Sequence, residues 1–236
     1  RLFFNSNWSK KRFFSNIPTN LIDPTQSIIC YQSSNKVKID FNKKEKIISF
    51  IGKLNSAKGY DVFGNAVIDV LNSNKDWTAV VIGDEAREKL NFNHDRLHLL
   101  GFKNNTFILN LLKKISISVV CSRWEEPFGR VSLEAASRGC AVITSNTGGL
   151  PETSKYSLKL KKLDEVELKE LLNRLINKKE YLLKKQKENY NGFFLTHQYV
   201  ASLVDNIRNN QLNNFNFQKK KQSLKILHIT NFNNRF

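Results

Sequence analysis

Short apolar runs alternate with amphipathic segments along the middle of the chain. The runs are largely apolar with no consistent polar face, and several are rich in Ile and Val. Strands of this kind are typical of a parallel sheet that helices cover on both sides. The alternation therefore predicts an α/β domain with a Rossmann-like parallel sheet flanked by helices. Predicted strands cover residues 46–52, 77–83, 96–100, 115–121 and 141–144, and predicted helices cover residues 60–71, 106–114 and 131–137.

The pattern changes after residue 151, where charged amphipathic segments replace the apolar runs. We expect one last strand at residues 157–161 and then C-terminal helices. These predicted helices cover residues 165–176, 180–190 and 198–207.

Both ends of the chain differ from the regular middle. Residues 1–43 show no period and resemble the tail of an upstream domain with a linker, whereas residues 44–208 form the predicted main domain. Residues 209–222 are rich in Asn, Gln and Lys and predict a linker. Residues 223–236 open with a new apolar run, as would the truncated first strand of a further α/β unit. Because the chain also lacks Met and starts at Arg1, we interpret it as a piece of a longer protein.

Composition excludes a disordered chain and raises the question of an anionic partner. Hydrophobic residues make up 40% of the 236 positions, which is enough for a core. Lys and Arg number 38 against 21 Asp and Glu, a net charge of +17. No zinc-finger spacing, RNP-like aromatic segment or GXXG loop accompanies this charge, so we expect no nucleic-acid partner. Small anionic ligands or a lipid surface suit the charge at least as well.

Cysteine and histidine spacing predicts neither a disulfide framework nor a metal site. Cys30, Cys121 and Cys140 are far apart, and the four histidines form no chelating pair on a helix. No run reaches the roughly 18 apolar residues that a membrane-spanning helix needs. We expect reduced thiols and a cytoplasmic protein, with contact at a membrane surface as a second possibility.

The first candidate loop follows the first predicted strand and contains Gly52, Lys53, Lys58 and Gly59. Ligands bind at the carboxyl ends of strands in open parallel sheets. Loop amides, a helix N-terminus and ammonium groups together suit a phosphate. The loop matches neither the P-loop pattern nor G-x-G-x-x-G, and taken by itself it is better explained as a solvated Gly and Lys turn.

The second candidate region spans residues 122–134. Pro127 and Gly129 interrupt the chain just before a predicted helix, so Phe128, Gly129 and Arg130 should lie at its N-terminus with free amides. Glu126 stays in the preceding loop and Glu134 in the second helical turn, about 12 Å away along an ideal helix.

That separation compares with the span from the ribose to the sugar of a nucleotide-sugar. A single Glu on a helix is usually only a solvated carboxylate. The combination of two carboxylates and a free helix N-terminus favours hydroxyl recognition on both sides of a diphosphate.

Three segments resemble motifs of the group 1, family 4-like glycosyltransferases. Residues 126–139 read E-P-F-G-R-V-S-L-E-A-A-S-R-G and resemble the E-P-F-G-x-x-x-L-E-A-x-A-x-G signature. Residues 145–152 resemble T-x-x-G-G-x-P-E, and residues 52–59 resemble G-R-L-x-x-x-K-G. The similarity covers about residues 44–208, the donor-binding C-terminal half of a GT-B enzyme.

The resemblance implies a role for each motif residue. Glu134 would bind the ribose hydroxyls, and Glu126 would bind the transferred sugar as a catalytic residue. Lys53 and Lys58 would stabilise the departing diphosphate, a step that fixed positive charge favours. Lys53 departs from the family pattern, which has Arg there, and so keeps the charge but loses the bidentate fork.

Further donor contacts follow from the same resemblance. Gly52, Phe128 and Gly148 would join Gly129 and Arg130 around the donor, while Phe102 and Lys103 would hold the nucleobase. The donor would be a nucleotide-diphosphate sugar, and the reaction would retain the anomeric configuration without metal or other cofactor. No D-x-D motif argues for a metal.

The acceptor-binding N-terminal domain of such enzymes is missing, so the acceptor stays unknown and we expect this piece alone to be inactive. The leading hypothesis is the donor half of a hexosyltransferase-type enzyme. A non-catalytic GT-B-like module that binds nucleotide-sugar is the first alternative. A basic nucleic-acid-binding protein is the second.

Overall fold

The computed structural model describes residues 2–18 and 21–214. Its elements follow in chain order. They are β1 (Leu2–Phe4), α1 (Asn7–Phe14), β2 (Ser27–Ile29), β3 (Glu45–Ile51), α2 (Tyr60–Ser73), β4 (Thr78–Ile82), β5 (Leu97–Leu99), α3 (Asn105–Leu112), β6 (Ile115–Val120), α4 (Arg130–Ser137), β7 (Ala141–Ser145), α5 (Leu150–Thr153), β8 (Leu158–Leu160), α6 (Glu165–Asn177), α7 (Lys179–Asn191) and α8 (His197–Asn214).

A six-stranded parallel sheet forms the centre of the fold, in the order β5-β4-β3-β6-β7-β8. This confirms the predicted Rossmann-like α/β class. Each strand and helix predicted between residues 46 and 190 is present, with ends that differ by at most two residues. The four-residue helix α5 is an addition that the periodicity does not predict.

Helices cover both faces of the sheet. On one face α2 and α6 pack against the strands, with Phe63, Val67 and Leu172 fully buried. On the other face α3 and α4 bury Leu112 and Leu133. All six residues of β6 are buried, including Ser116 and Ser118, so both faces of this strand are covered although Ile and Ser alternate along its first half.

The N-terminal region is more regular than predicted. β1 and β2 form a two-stranded parallel sheet, and α1 lies between them in the sequence. The prediction of an irregular segment was therefore wrong for these elements. The strands have three residues each, and α1 buries none of its side chains, so no apolar period marks them.

The C-terminal helix is longer than predicted. α8 runs to Asn214, so the linker predicted from residue 209 was wrong for residues 209–214. A polar helix leaves no apolar period for the sequence to show. The rest of that linker, residues 215–222, and the strand predicted within residues 223–236 lie outside the described residues.

The described cysteines are free thiols, as predicted. Cys121 and Cys140 are buried, and burial raises the pKa of Cys121 to about 12. At neutral pH this thiol is therefore protonated and inert. Over residues 2–18 and 21–214, no helix is both long and apolar enough to cross a bilayer.

The ammonium of Lys44 points into the protein and joins three element ends. It donates to the carbonyl oxygens of Leu112 at 3.0 Å, Ile115 at 2.7 Å and Arg138 at 2.8 Å. These residues are the last of α3, the first of β6 and the one after α4. Burial lowers the pKa of Lys44, because desolvation disfavours its charged form.

Replacing Lys44 with Met should destabilise the fold, because three inward-facing carbonyl groups lose their donor. We expect the free energy of unfolding to fall by about 2 kcal/mol. Urea denaturation followed by circular dichroism measures it. Lys46→Met is the matched control, since Lys46 only pairs with Asp76 at the exposed surface and should change stability by less than about 1 kcal/mol. Equal losses in both variants would contradict the role of Lys44.

Candidate functional site

The main candidate pocket opens where neighbouring strands lead to opposite sides of the sheet. From β3 the chain continues to β4 and β5, and it then returns to place β6 on the other side of β3. A crevice forms at the carboxyl ends of strands at such a switch point and is the usual ligand site of open α/β sheets. Here it is a pocket of about 140 Å³, lined by Phe50, Ile51, Gly52, Lys58, Val120, Ser122, Glu126, Gly129, Arg130 and Val131.

A second, larger groove of about 600 Å³ lies between Tyr156 and α7. Its walls include Lys184, Lys187, Glu180 and Glu188, and none of the predicted site residues reaches it. The smaller pocket is therefore the stronger candidate, because ligands of open α/β sheets bind at the switch point.

Lys58 and Glu126 meet in the smaller pocket. Lys58 Nζ lies 2.5 Å from Glu126 Oε1, and both side chains are largely buried. Lys58 comes from the loop after β3, and Glu126 comes from the loop after β6. The pair thus joins the two loops and sets a cation beside a carboxylate at the strand ends.

Glu134 lies on α4 and is only 4% exposed. Its Oε1 accepts from Arg130 Nε at 2.8 Å and from Asn105 Nδ2 at 3.0 Å. Both of these hydrogen bonds are to Oε1, and no donor among the described residues reaches Oε2. Oε2 is therefore available to accept from a ligand hydroxyl.

The N-terminus of α4 presents free amides to the pocket. Gly129 precedes the helix with φ +108°, and no side chain caps the first turn. A Cβ at Gly129 would lie 2.4 Å from Leu150 Cδ2, so only glycine fits here. The uncapped amides and the helix dipole favour an anion at this point.

Gly148 and Gly149 support the loop that carries Glu126. A Cβ at Gly148 would lie 2.4 Å from the carbonyl oxygen of Glu126, and one at Gly149 would lie 2.3 Å from that of Pro127. The Gly149 amide donates to the Glu126 carbonyl at 2.7 Å. Gly148, a predicted donor contact, does not line the pocket and instead lets the loop approach closely.

The loop of residues 52–59 differs from the expected phosphate cradle. The protein itself uses most of its amides, so their predicted availability was wrong. Five acceptors take them, namely Ile82 O from Gly52, Asp84 O from Leu54, Glu88 Oε2 from Ser56, Asn55 Oδ1 from Lys58 and Ser56 O from Gly59. The loop therefore contributes the Lys58 ammonium and the wall at Gly52.

Besides Gly148 and Glu134, four predicted residues lie outside the pocket lining. Lys53 is exposed, and it forms no hydrogen bond or ion pair with the residues that the structure describes. Phe102 is 75% exposed, and Lys103 Nζ lies 5.6 Å from the centre of the Phe107 ring. The segment is still near the site, because α3 begins at Asn105, which contacts Glu134. Phe128 is buried against α4, where it packs in the core.

Arg123 is a site residue that the sequence does not reveal. Its guanidinium donates to both carboxylate oxygens of Asp61 at 2.6 and 2.7 Å, and to Ser56 O at 2.6 Å. The amides of Arg123 and Trp124 both donate to Ala57 O at 2.9 Å. These bonds join the Lys58 loop to the Glu126 loop. Burial acts to raise the pKa of Asp61, but the hydrogen bond from Arg123, backbone hydrogen bonds and the Arg123 charge together outweigh it and lower the pKa overall.

Among the described residues, no three His, Cys, Asp or Glu side chains form a group that could hold a metal. The groups that line the pocket are two cationic side chains, one carboxylate and a helix N-terminus. Such a set suits an anionic ligand with hydroxyl groups.

Residues 32–193 match the family model described as glycosyl transferases group 1. This range covers more than half of the chain. The chain belongs to the group 1 glycosyltransferases. The predicted resemblance is thereby confirmed.

Relatives of this glycosyltransferase chain agree with the family and the fold. Spore coat protein SA of Bacillus subtilis is 36% identical over 121 residues, which are 46% of this chain and 32% of that protein. HepE of Anabaena, solved in complex with UDP-glucose, is 17% identical and superposes with a TM-score of 0.71 over 89% of this chain and 63% of HepE. The chain thus spans about a third of the curated relative's length.

A third similar protein is the C-terminal domain of a group 1 glycosyl transferase family protein, LpcC, from Francisella tularensis. It is 25% identical, with a TM-score of 0.55, over 64% of this chain and 86% of that domain.

Gly148→Ala should destabilise the chain more than Gly101→Ala, because the two glycines have similar backbone angles but only Gly148 lacks room for a Cβ. Gly148 and Gly101 have φ of +59° and +67°, but a Cβ at Gly101 meets nothing within 4 Å. We expect Gly101→Ala to cost about 1 kcal/mol of unfolding free energy through backbone strain. The clash with Glu126 should add about 2 kcal/mol in Gly148→Ala. Urea denaturation compares the two, and equal losses would show that the Glu126 loop does not need this close approach.

Proposed function

We propose that this chain is the donor-binding half of a hexosyltransferase-type enzyme that transfers sugar from a nucleotide-diphosphate sugar. The observation that carries the proposal is the pocket at the switch point of the sheet. There Lys58, Arg130 and the α4 amides lie together, with Glu126 and Glu134 as the flanking carboxylates. Membership of the group 1 family supports the reaction class.

The cationic groups would stabilise the leaving diphosphate. Breaking the bond between sugar and phosphate builds negative charge on the diphosphate oxygens. Lys58, Arg130 and the N-terminus of α4 supply positive potential from fixed positions, so little reorganisation is needed in the transition state. Exposed Lys53 would add its charge from the rim.

The two carboxylates would recognise the two ends of the donor. Glu134 is buried and held by Arg130 and Asn105, so its second oxygen is fixed to accept from the ribose hydroxyls. Glu126 shares the pocket with Lys58, so it would accept from hydroxyls of the transferred sugar beside the diphosphate. Phe102 and Lys103 would contact the nucleobase from the adjoining segment.

The structural neighbour HepE was solved in complexes with UDP-glucose and with UDP, which supports a nucleotide-sugar as donor here. A thermal-shift screen over UDP-, GDP- and ADP-sugars would identify the nucleotide. UDP and UDP-glucose serve as the first probes.

Acceptor binding would come from another part of the protein. The pocket described here accounts for donor binding alone, so we propose that the chain binds donor and transfers no sugar by itself. We also propose a cytoplasmic enzyme, and its net charge of +17 suits an acceptor at an anionic membrane surface. Transfer assays on the longer protein separate an enzyme that retains the anomeric configuration from a non-catalytic nucleotide-sugar-binding module.

Replacing Glu134 and Glu126 with Ala, one at a time, should separate their roles in donor binding. We expect Glu134→Ala to lower the affinity for both UDP and UDP-glucose by about tenfold or more, because charged hydrogen bonds to the ribose are lost. Glu126→Ala should weaken the binding of UDP-glucose relative to that of UDP, because the sugar loses its carboxylate while Lys58 is released for the diphosphate. Isothermal titration calorimetry measures both ligands.

Glu170→Ala on the exposed face of α6 is the control for removing one negative charge. It should leave both affinities unchanged. If Glu134→Ala binds UDP with the same affinity as the wild type, the assignment of Glu134 to the ribose site is refuted.

Donor binding should be independent of divalent metal. Lys58 and Arg130 lie where a metal would otherwise neutralise the diphosphate, so we expect UDP affinity in EDTA and in MgCl2 to agree within about twofold. Calorimetry on one protein preparation in the two buffers measures this. Loss of UDP binding in EDTA would show that the cationic side chains are not sufficient.

A further inference from the structure

The N-terminus of α1 rests against the loop that carries Glu126. Glu152, on α5, accepts from the first two amides of α1: Asn7 N reaches Oε2 at 2.8 Å, and Trp8 N reaches Oε1 at 2.8 Å. The Asn7 side-chain amide and the Tyr31 hydroxyl also donate to Oε2, at 3.0 and 3.2 Å. One carboxylate thus anchors the start of this helix.

Ser6 continues the contact from α1 to the loop. Its Oγ accepts from the amide of Ser9 at 2.9 Å and lies 2.5 Å from the carbonyl oxygen of Pro127, to which it donates. Ser9 Oγ reaches the same carbonyl at 3.1 Å. Ser6 is fully buried, so water does not compete for this bond.

The position of the Pro127 carbonyl affects Glu126 directly, because Pro127 is the next residue in the chain and links Glu126 to Phe128 and the start of α4. Proline has no amide hydrogen, so its carbonyl is the single backbone group through which Pro127 can be held by hydrogen bonds. The Tyr31 ring packs on Phe128, 5.5 Å between ring centres, on the same side.

α1 depends on these contacts for its own position. Phe13 and Phe14 near its C-terminal end pack on Phe4, with ring centres 5.2 and 5.8 Å apart, but no side chain of α1 is fully buried. Its N-terminal turn is held by hydrogen bonds instead. Glu152 and Ser6 satisfy the amides of its first three residues, and the carboxylate complements the helix dipole. Loss of Glu152 would therefore loosen the N-terminal turn of α1, and with it the hydroxyl groups that contact Pro127.

We propose that Glu152 is a positioning residue for the Glu126 loop: it anchors α1, and α1 holds Pro127 so that Glu126 faces the transferred sugar. This inference rests on the proposed function for the role of Glu126. Glu152 does not line the pocket. Asn105 on α3 and Arg130 on α4 hold Glu134, so the ribose site should not depend on Glu152.

The test compares UDP with UDP-glucose in Glu152→Ala. We expect UDP affinity to stay within about twofold, while the preference for UDP-glucose over UDP falls by about fivefold or more. Glu152→Gln keeps one accepting oxygen and should restore part of that preference. A general loss of structure would instead weaken both ligands alike, and that result would overturn the proposal.

Glu167→Ala is the matched control. The Glu167 carboxylate, in the first turn of α6, also accepts from two consecutive backbone amides, those of Lys161 at 2.8 Å and Lys162 at 2.5 Å in the preceding connection. It should leave the ratio of the two affinities unchanged. A fall in this control equal to that in Glu152→Ala would overturn the proposal.

Hydrogen exchange gives a readout that needs no ligand. The amides of Glu126 and Gly149 are hydrogen-bonded within this loop, to Trp124 O and Glu126 O. We expect both to exchange faster in Glu152→Ala and in Ser6→Ala, and to be unchanged in Glu167→Ala. Ser6→Ala leaves Glu152 in place and covers the case in which Glu152→Ala does not fold. Unchanged exchange in the folded variants would overturn the positioning role. Failure of the wild type to bind any nucleotide would instead refute the proposed function and leave this readout valid.

Discussion

The pairing of β3 with β6 is the constraint on which the rest of the site depends. Ile48, Ser49 and Phe50 align with Ile117, Ser118 and Val119, although two strands and two helices separate them in the sequence. Because β4 continues on one side of β3 and β6 on the other, the loops after β3 and β6 diverge and leave a crevice between them. The pocket, its cations and its carboxylates all follow from this one pairing.

Close backbone approach and two ion pairs then set the distance between the two loops. A Cβ at Gly59 would lie 1.9 Å from the carbonyl oxygen of Cys121, so glycine is required where α2 begins beside the end of β6. Arg123 bridges the same two loops through Asp61, and Lys58 pairs with Glu126. The functional cation and carboxylate thus neutralise each other in the free protein. A donor diphosphate would compete with Glu126 for Lys58, which ties donor binding to the geometry of both loops.

Most of the fold could be predicted from the sequence, because buried strands and amphipathic helices leave a periodic trace. Residues 79–82 of β4, for example, are all apolar because both faces of this strand are covered. The failures occurred where no such trace exists. α1 buries no side chain, and the last turns of α8 are polar, so neither shows an apolar period. The phosphate loop was misjudged for a different reason: glycine content does not reveal that Asn55, Asp84 and Glu88 already accept from its amides.

The sequence by itself determined the α/β class, the group 1 motifs, and the identity of the cation and the two carboxylates that we assign to the donor. These properties are local, since a motif and its spacing lie on a single stretch of chain. Only the tertiary structure decided which groups meet: Lys58 with Glu126, Asn105 with Glu134, Arg123 with Asp61, and α1 with Glu152. Such contacts join residues that lie from about thirty to more than a hundred positions apart. Strand order and helix packing bring them together, and periodicity along the chain carries no information about either.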